Sequence, residues 1–189
     1  VWTRNEAVPG AAESIRALKA AGYRVLFVTN NSSMSRRTVV DKLRRFAIEA
    51  DLSAVISSTR ATAEYILEQA GRARVFVLGS DGLTEELAQA GLEVVQDPQR
   101  AQFLAVGFDR DLSYRKLTLA LKALLAGARF VAANEDGMLP SEEGLLPAAG
   151  AVVGAVKGMV RREPEAVIGK PNHEFVERAL GRMGISESE

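Results

Sequence analysis

Residues 23–33, YRVLFVTNNSS, most strongly constrain how this chain can fold. The apolar run at residues 24–28 has β-branched and aromatic residues without polar alternation, which is typical of a strand buried in a parallel sheet. It leads directly into a Thr-Asn-Asn-Ser turn, and helix-like sequence follows at residues 35–46. Such a unit places hydroxyl and backbone N–H groups at a strand's carboxyl end, beside a helix N-terminus, and this arrangement commonly binds anions.

A second strand end carries a complementary charge. Residues 166–172, AVIGKPN, again form an apolar run that ends in a polar turn, here with Lys170, before the helix-like sequence HEFVERALGRMG. Because ligands bind at the carboxyl ends of parallel strands, Thr29, Asn30, Asn31 and Lys170 could hold one phosphate group together. The residues alone leave simpler roles open, since the asparagines could form only a turn and Lys170 could be an ordinary exposed lysine.

Strand-like and helix-like segments alternate along the chain, which predicts an α/β fold rich in parallel strands. Further strands are predicted at residues 54–56, 74–78, 92–95, 103–106 and 129–132. Further helices are predicted up to residue 20 and at residues 61–69, 83–90, 113–125 and 148–160.

Composition narrows the class of partner. The chain has 189 residues, of which 47% are hydrophobic, and this is enough for one large domain or two small ones, of which we expect two. Its net charge of +0 argues against nucleic acid or an anionic membrane surface as partner. It has no cysteine, which fits the cytoplasm, and no apolar run near the roughly 20 residues that span a bilayer. We therefore expect a small-molecule partner.

Four segments, in this order, resemble the haloacid dehalogenase (HAD) superfamily of phosphohydrolases, specifically its nitrophenylphosphatase or NagD-like branch. They are VPGAAESIRALKAAGYRVLFVTNNSS, VGFDRDLSYRKL, ARFVAANEDGMLPSEEGLLPAAGAVVGAV and VIGKPN. The resemblance implies a Rossmann-like parallel-sheet core, partial in this chain, with an inserted α/β cap domain through which a homo-oligomer could form. It implies core at residues 1–59, cap at residues 60–162, and truncated core at residues 163–189.

The resemblance also implies an activity, the Mg²⁺-dependent hydrolysis of small-molecule phosphate esters through a phosphoaspartate intermediate. Thr29 and Lys170 are then catalytic, and Asn30 and Asn31 bind the substrate. The polar turn at residues 134–140 in the cap would contact the leaving group and so determine which substrates bind. Its candidate substrate-binding residues are Asn134, Glu135 and Asp136.

The family's nucleophile and general acid are two aspartates in an Asp-x-Asp-Gly turn, which is expected immediately before Val1. A further acidic turn is expected after Glu189. We therefore expect this chain to be the interior of a longer protein, to lack Mg²⁺ ligands, and to be inactive by itself. The alternative is a noncatalytic domain that binds a phosphate ligand or has a regulatory role and has lost both acidic turns.

Residues 102–113, QFLAVGFDRDLS, mimic the missing turn, with Asp109 as nucleophile and Asp111 as acid. The order of motifs argues against this assignment. The next strand ends in Ala-Ala-Asn rather than in a Ser or Thr, and Thr29 would have no role. We predict instead a turn and a helix start, with Tyr114, Leu117 and Leu121 packing inward.

Overall fold

The computed structural model describes residues 1–3 and 5–184. Its helices are α1 (Ala11–Ala20), α2 (Arg36–Arg45), α3 (Ser58–Ala70), α4 (Asp81–Gln89), α5 (Tyr114–Leu125), α6 (Ala149–Val160) and α7 (His173–Met183). Its strands are β1 (Trp2–Thr3), β2 (Glu6–Ala7), β3 (Phe27–Thr29), β4 (Val55–Ser57), β5 (Arg74–Leu78), β6 (Glu93–Val94), β7 (Phe103–Val106), β8 (Arg129–Ala132), β9 (Met138–Ser141), β10 (Gly144–Pro147) and β11 (Ala166–Val167).

A five-stranded sheet with the order β11-β8-β7-β5-β6 organises most of the chain. All of its neighbouring strands are parallel. The central strand β7 is buried at every position, as expected for an apolar run covered by helices on both faces. These features confirm the predicted α/β fold.

A second, two-stranded parallel sheet pairs β3 with β4, and Thr29 lies opposite Ser57. The strand β3 is shorter than the apolar run that predicts it, because regular structure begins only at Phe27. The neighbouring strand β4 has only three residues, and these pair with Phe27–Thr29. Residues 24–26 therefore have no residue of β4 opposite them. Two antiparallel hairpins, β1-β2 and β9-β10, complete the strand pairing.

The helix starts follow local capping chemistry. Ser35 caps α2 by accepting a hydrogen bond from the N–H of Thr38, close to the predicted start. Helix α3 begins at Ser58, earlier than predicted, because the Ser57 side chain accepts from the N–H of Arg60. The prediction for Tyr114 was wrong, since this first residue of α5 is 88% exposed.

The hydrophobic core has three parts. One packs α5 and α6 on one face of the five-stranded sheet, and a small one packs α2 on β3 and β4. The part on the other face includes Ile56, Val75, Val131 and Ile168, so it draws on all three predicted domain segments. Strand β11 likewise joins a sheet whose other strands lie in residues 60–162. The boundaries of the cap therefore stay a prediction, and residues 185–189 of the last segment lie outside the described residues.

Candidate active site

Residues that follow four parallel strands meet at Asn30, the residue directly after β3. Ser58, after β4, donates its hydroxyl to the carbonyl oxygen of Asn30 at 3.0 Å. The side-chain amide of Asn134, after β8, donates to the same oxygen at 2.7 Å. The backbone N–H of Lys170, after β11, donates to the side-chain oxygen of Asn30 at 2.8 Å. Candidate residues that are far apart in sequence are thus brought together at one edge of the fold.

Thr29 ends β3 with a half-buried side chain. Its Oγ1 accepts a hydrogen bond from the N–H of Asn31 at 3.1 Å. A hydroxyl that accepts through a lone pair keeps its own hydrogen for another partner. Thr29 can therefore still donate to an anionic oxygen.

Asn31 forms a local turn. Its Oδ1 accepts from the N–H of Ser33 at 2.9 Å and from the Ser33 hydroxyl at 2.6 Å. This is the side-chain-to-backbone bond with which asparagine stabilises turns. The carboxamide oxygen of Asn31 thus shapes the loop, and the residue is exposed at its surface.

The carboxamide of Asn30 bonds to two other loops. Besides accepting from the Lys170 N–H, it donates from Nδ2 to the Lys170 carbonyl oxygen at 2.9 Å. The same nitrogen donates to Oδ1 of Asp136 at 3.1 Å. Asn30 therefore joins the turn after β11 to the loop after β8.

Lys170 is exposed, and no described residue holds its ammonium group by a hydrogen bond or an ion pair. The preceding Gly169 permits the close approach of its neighbours. A Cβ atom at Gly169 would lie 2.6 Å from Oδ1 of Asn30 and 2.8 Å from Cβ of Asn134. The fold thus fixes the backbone at Lys170 and leaves the charge available to an anion.

The loop after β8 places its three candidate residues differently. Asn134 is 2% exposed, and its Oδ1 accepts from the N–H of Asp136 at 3.1 Å. Glu135 pairs with Lys157 of α6 at 3.3 Å. The hydrogen bonds that Lys157 donates to Glu163 and Glu135 raise the pKa of Lys157. Asn134 and Asp136 therefore contact the β3 loop, whereas Glu135 contacts α6.

Two serines at this edge were missed by the sequence analysis. Ser32 is 1% exposed, and its hydroxyl oxygen accepts from the N–H of Phe108, after β7, at 2.9 Å. Ser58 is fully buried and bonds to Asn30 as described above. The sequence does mark both serines as candidates, because each closely follows a predicted strand end. Their partners depend on which loops meet in three dimensions.

The carboxylate of Asp109 is bound by other groups of the protein. It is 8% exposed, and Nζ of Lys116 lies 2.8 Å and 2.7 Å from its two carboxylate oxygens. Oδ1 also accepts from the N–H of Asp111 at 2.9 Å. These contacts agree with the predicted turn and helix start, because the carboxylate is already paired within the protein.

Neither a metal cluster nor a membrane span is found in the part of the chain that the structure describes. Within residues 1–3 and 5–184, no group of three or more His, Cys, Asp or Glu side chains could hold a metal ion. No helix in the same ranges is long and apolar enough to cross a membrane.

Comparison with known proteins identifies the family. A model of haloacid dehalogenase-like hydrolases matches residues 1–93. Over 189 residues, all of the chain, it is 36% identical to the acid sugar phosphatase of Staphylococcus aureus and spans 72% of that protein. The chain belongs to the haloacid dehalogenase-like hydrolases.

A solved structure and a second curated relative support the same branch of this HAD family. The p-nitrophenyl phosphatase from Archaeoglobus fulgidus matches with a TM-score of 0.90 and 38% identity, over 96% of this chain and 69% of that one. The sugar-phosphatase AraL of Bacillus subtilis is 32% identical over 189 residues and is spanned to 70% of its length. The predicted resemblance to nitrophenylphosphatase and NagD-like HAD phosphatases is confirmed.

Proposed function

We propose that this chain carries the phosphate-binding residues of a phosphatase that hydrolyses small-molecule phosphate monoesters. The observation that carries the proposal is the junction at Asn30, which brings the turn of Lys170 to the strand end of Thr29. Phosphoryl transfer depends mainly on positioning and on neutralising charge at the equatorial oxygens. The Thr29 hydroxyl and the Lys170 ammonium supply a neutral and a charged donor for those oxygens.

The nucleophile is proposed to be an aspartate outside this chain, in the family's Asp-x-Asp-Gly turn. Two nearby carboxylates are already engaged, Asp136 by Asn30 and Asp109 by Lys116. Among the described residues, β3 pairs with β4 alone and β11 with β8 alone, so each strand keeps one edge open. A parallel strand added at either edge would bring its carboxyl end to this site. Attack by such a carboxylate on phosphorus forms the phosphoaspartate intermediate and breaks the ester P–O bond, so that the alcohol leaves. Water then hydrolyses the phosphoaspartate, which releases inorganic phosphate and regenerates the carboxylate.

The substrate's leaving group is proposed to lie against the loop at residues 134–136, since this loop contacts the β3 loop at Asn30. The names of two relatives make sugar phosphates the first class to test. Mg²⁺ dependence is also proposed, with ligands supplied outside the described residues. Cytoplasmic localisation and self-association through residues 60–162 remain predictions.

The test compares two polypeptides with p-nitrophenyl phosphate as substrate. One is the chain alone. The other, the extended polypeptide, adds the family's Asp-x-Asp-Gly turn before Val1 and its acidic turn after Glu189. We expect no turnover by the chain alone. The extended polypeptide should turn over substrate with Mg²⁺, lose activity with EDTA, and regain it when Mg²⁺ is restored.

Two results would contradict this proposal. Turnover by the chain alone that survives Lys170→Ala would place the nucleophile within these residues and would favour Asp109. An extended polypeptide that binds inorganic phosphate without hydrolysing any ester would support the noncatalytic phosphate-binding alternative.

A further inference from the structure

Asn30 lies between Thr29 and Asn31, which are predicted to bind the phosphate, yet the side chain of Asn30 bonds only to other parts of the protein. A carboxamide has two N–H donors and one acceptor oxygen. The donors of Asn30 bond to the Lys170 carbonyl at 2.9 Å and to Asp136 at 3.1 Å. Its oxygen accepts from the Lys170 N–H at 2.8 Å. The side chain of Asn30 therefore has no donor left for a phosphate oxygen.

The main chain of Asn30 is fixed as well. Its carbonyl oxygen accepts from Asn134, on the loop after β8, and from Ser58, the first residue of α3. Asn30 therefore contacts two other loops and the start of α3, and it is half-buried among them. A side chain that binds substrate needs free polar atoms. A side chain with these contacts instead sets the relative positions of its neighbours.

We propose that the side chain of Asn30 positions Lys170 and does not itself contact the substrate. This inference rests on the proposed phosphatase function. The two bonds between Asn30 and Lys170 hold the N–H and the carbonyl of the lysine, which flank its Cα. Through Asp136, the same carboxamide holds the proposed leaving-group loop in register with Thr29.

The physical reason lies in the lysine side chain. Its stem is long and flexible, so the position of the ammonium group depends on a fixed point of attachment. A misplacement of about 1 Å at a reacting group can cost about 10²-fold in rate. The carboxamide of Asn30 and the tight contact at Gly169 together supply that fixed point.

The first test is hydrogen exchange on the chain alone, which requires no enzymatic activity. In Asn30→Ala the N–H of Lys170 loses its acceptor, so its amide should exchange about tenfold faster or more, as local opening becomes easier. Ser113→Ala, which removes the cap of α5, is the matched control and should leave exchange at Lys170 unchanged. If Asn30→Ala does not fold, Gly169→Ala should produce the same change by displacing the oxygen of Asn30.

The second test is a double-mutant cycle in the extended polypeptide with p-nitrophenyl phosphate. We expect Asn30→Ala alone to lower kcat/KM by about tenfold or more. When Lys170→Ala is already present, the further loss should be less than about threefold, because the effects of mutations at residues that act through one another are not additive. An equal loss in both backgrounds would mean that Asn30 contacts the substrate. Unchanged exchange at Lys170 in folded Asn30→Ala would also overturn the inference. An inactive extended polypeptide would instead contradict the proposed function and leave the exchange result intact.

Discussion

Bonds to main-chain atoms hold most of the polar side chains at the candidate site. Thr29 accepts from the backbone of Asn31, Asn134 donates to the carbonyl of Asn30, and Asn30 bonds both backbone groups of Lys170. Such bonds fix a side chain relative to the fold and not to another flexible side chain. The ammonium group of Lys170 differs, since no described residue pairs with it. Its charge can therefore serve a ligand.

Replacing Lys170 should separate catalysis from stability. In the extended polypeptide we expect Lys170→Ala to lower kcat/KM by about 10² or more, because a preorganised charged donor is lost. The melting temperature should hardly change, because the side chain is exposed. Steady-state kinetics and thermal unfolding give the two values, with the exposed Lys122→Ala as control. A protein that unfolds but keeps its specific activity would assign Lys170 a structural role.

At the scale of elements, helix α4 fixes the segment that leads from the candidate site into α2. Glu86 of α4 is fully buried, and its Oε1 accepts from the N–H of Arg36 at 2.6 Å. Nε of Arg36 lies 3.1 Å from the second carboxylate oxygen. A Cβ atom at Gly82 would clash with the main chain of Met34. The carboxylate therefore caps α2 where α4 packs closely against the loop.

Removing this carboxylate should be costly. Glu86→Ala leaves the N–H and guanidinium of Arg36 without their buried partner, and breaking such a pair costs about 3 to 5 kcal/mol in the free energy of unfolding. The neighbouring Glu85 bonds to Gln89 on its own helix, and Glu85→Ala should change stability by about 0.5 kcal/mol or less. Urea denaturation of both variants measures the difference. Equal losses would show that the buried pair does not anchor α2.

A second contact between elements should make stability depend on pH. Arg178 of α7 donates to both carboxylate oxygens of Glu68 on α3, at 2.7 Å and 2.5 Å. These hydrogen bonds lower the pKa of Glu68. A lowered carboxyl pKa stabilises the fold at neutral pH, and this contribution is lost as the pH falls through the lowered pKa. The melting temperature should therefore exceed that of Glu68→Gln at neutral pH, and the gap should close in acid. A gap that is constant with pH would contradict this.

The strand ends could be predicted from the sequence, because a local apolar run and the turn after it carry their own signal. The position of Thr29 at the end of β3 followed from this signal. The pairing of β11 with β8 and the burial of Glu86 did not, since both depend on contacts between distant segments. The junction at Asn30 was missed for the same reason. An asparagine in a turn has the same local sequence whether it bonds to a ligand or to another loop.

At the scale of the whole molecule, one shared core joins segments that the sequence assigns to core and cap. Ile56, Phe103 and Ile168 belong to the same cluster, although they come from three predicted segments. The loops at the carboxyl ends of both parallel sheets also face one another through Asn30 and Asn134. Substrate selection and phosphate binding are thus expected to use adjacent loops of the fold.

Exchanging one loop should change selectivity while preserving phosphate binding. In the extended polypeptide, residues 135 and 137–140 would be replaced by those of a relative with a different substrate preference. Asn134 and Asp136, which bond to Asn30, would be kept. We expect relative kcat/KM values among phosphate esters to change by about tenfold or more, the scale of a few lost polar contacts. Inhibition by inorganic phosphate should scarcely change. An unchanged substrate ranking with weaker phosphate inhibition would show that the two loops have the opposite roles.

The location of a bound phosphate mimic tests the central claim most directly. Crystals of the extended polypeptide soaked in tungstate would reveal the anion by its anomalous scattering. We predict a single strong site at the carboxyl edge of β3 and β11, with tungstate oxygens in hydrogen-bonding distance of Oγ1 of Thr29 and Nζ of Lys170. Tungstate bound beside Asp109 and Lys116, with no density between Thr29 and Lys170, would contradict the account.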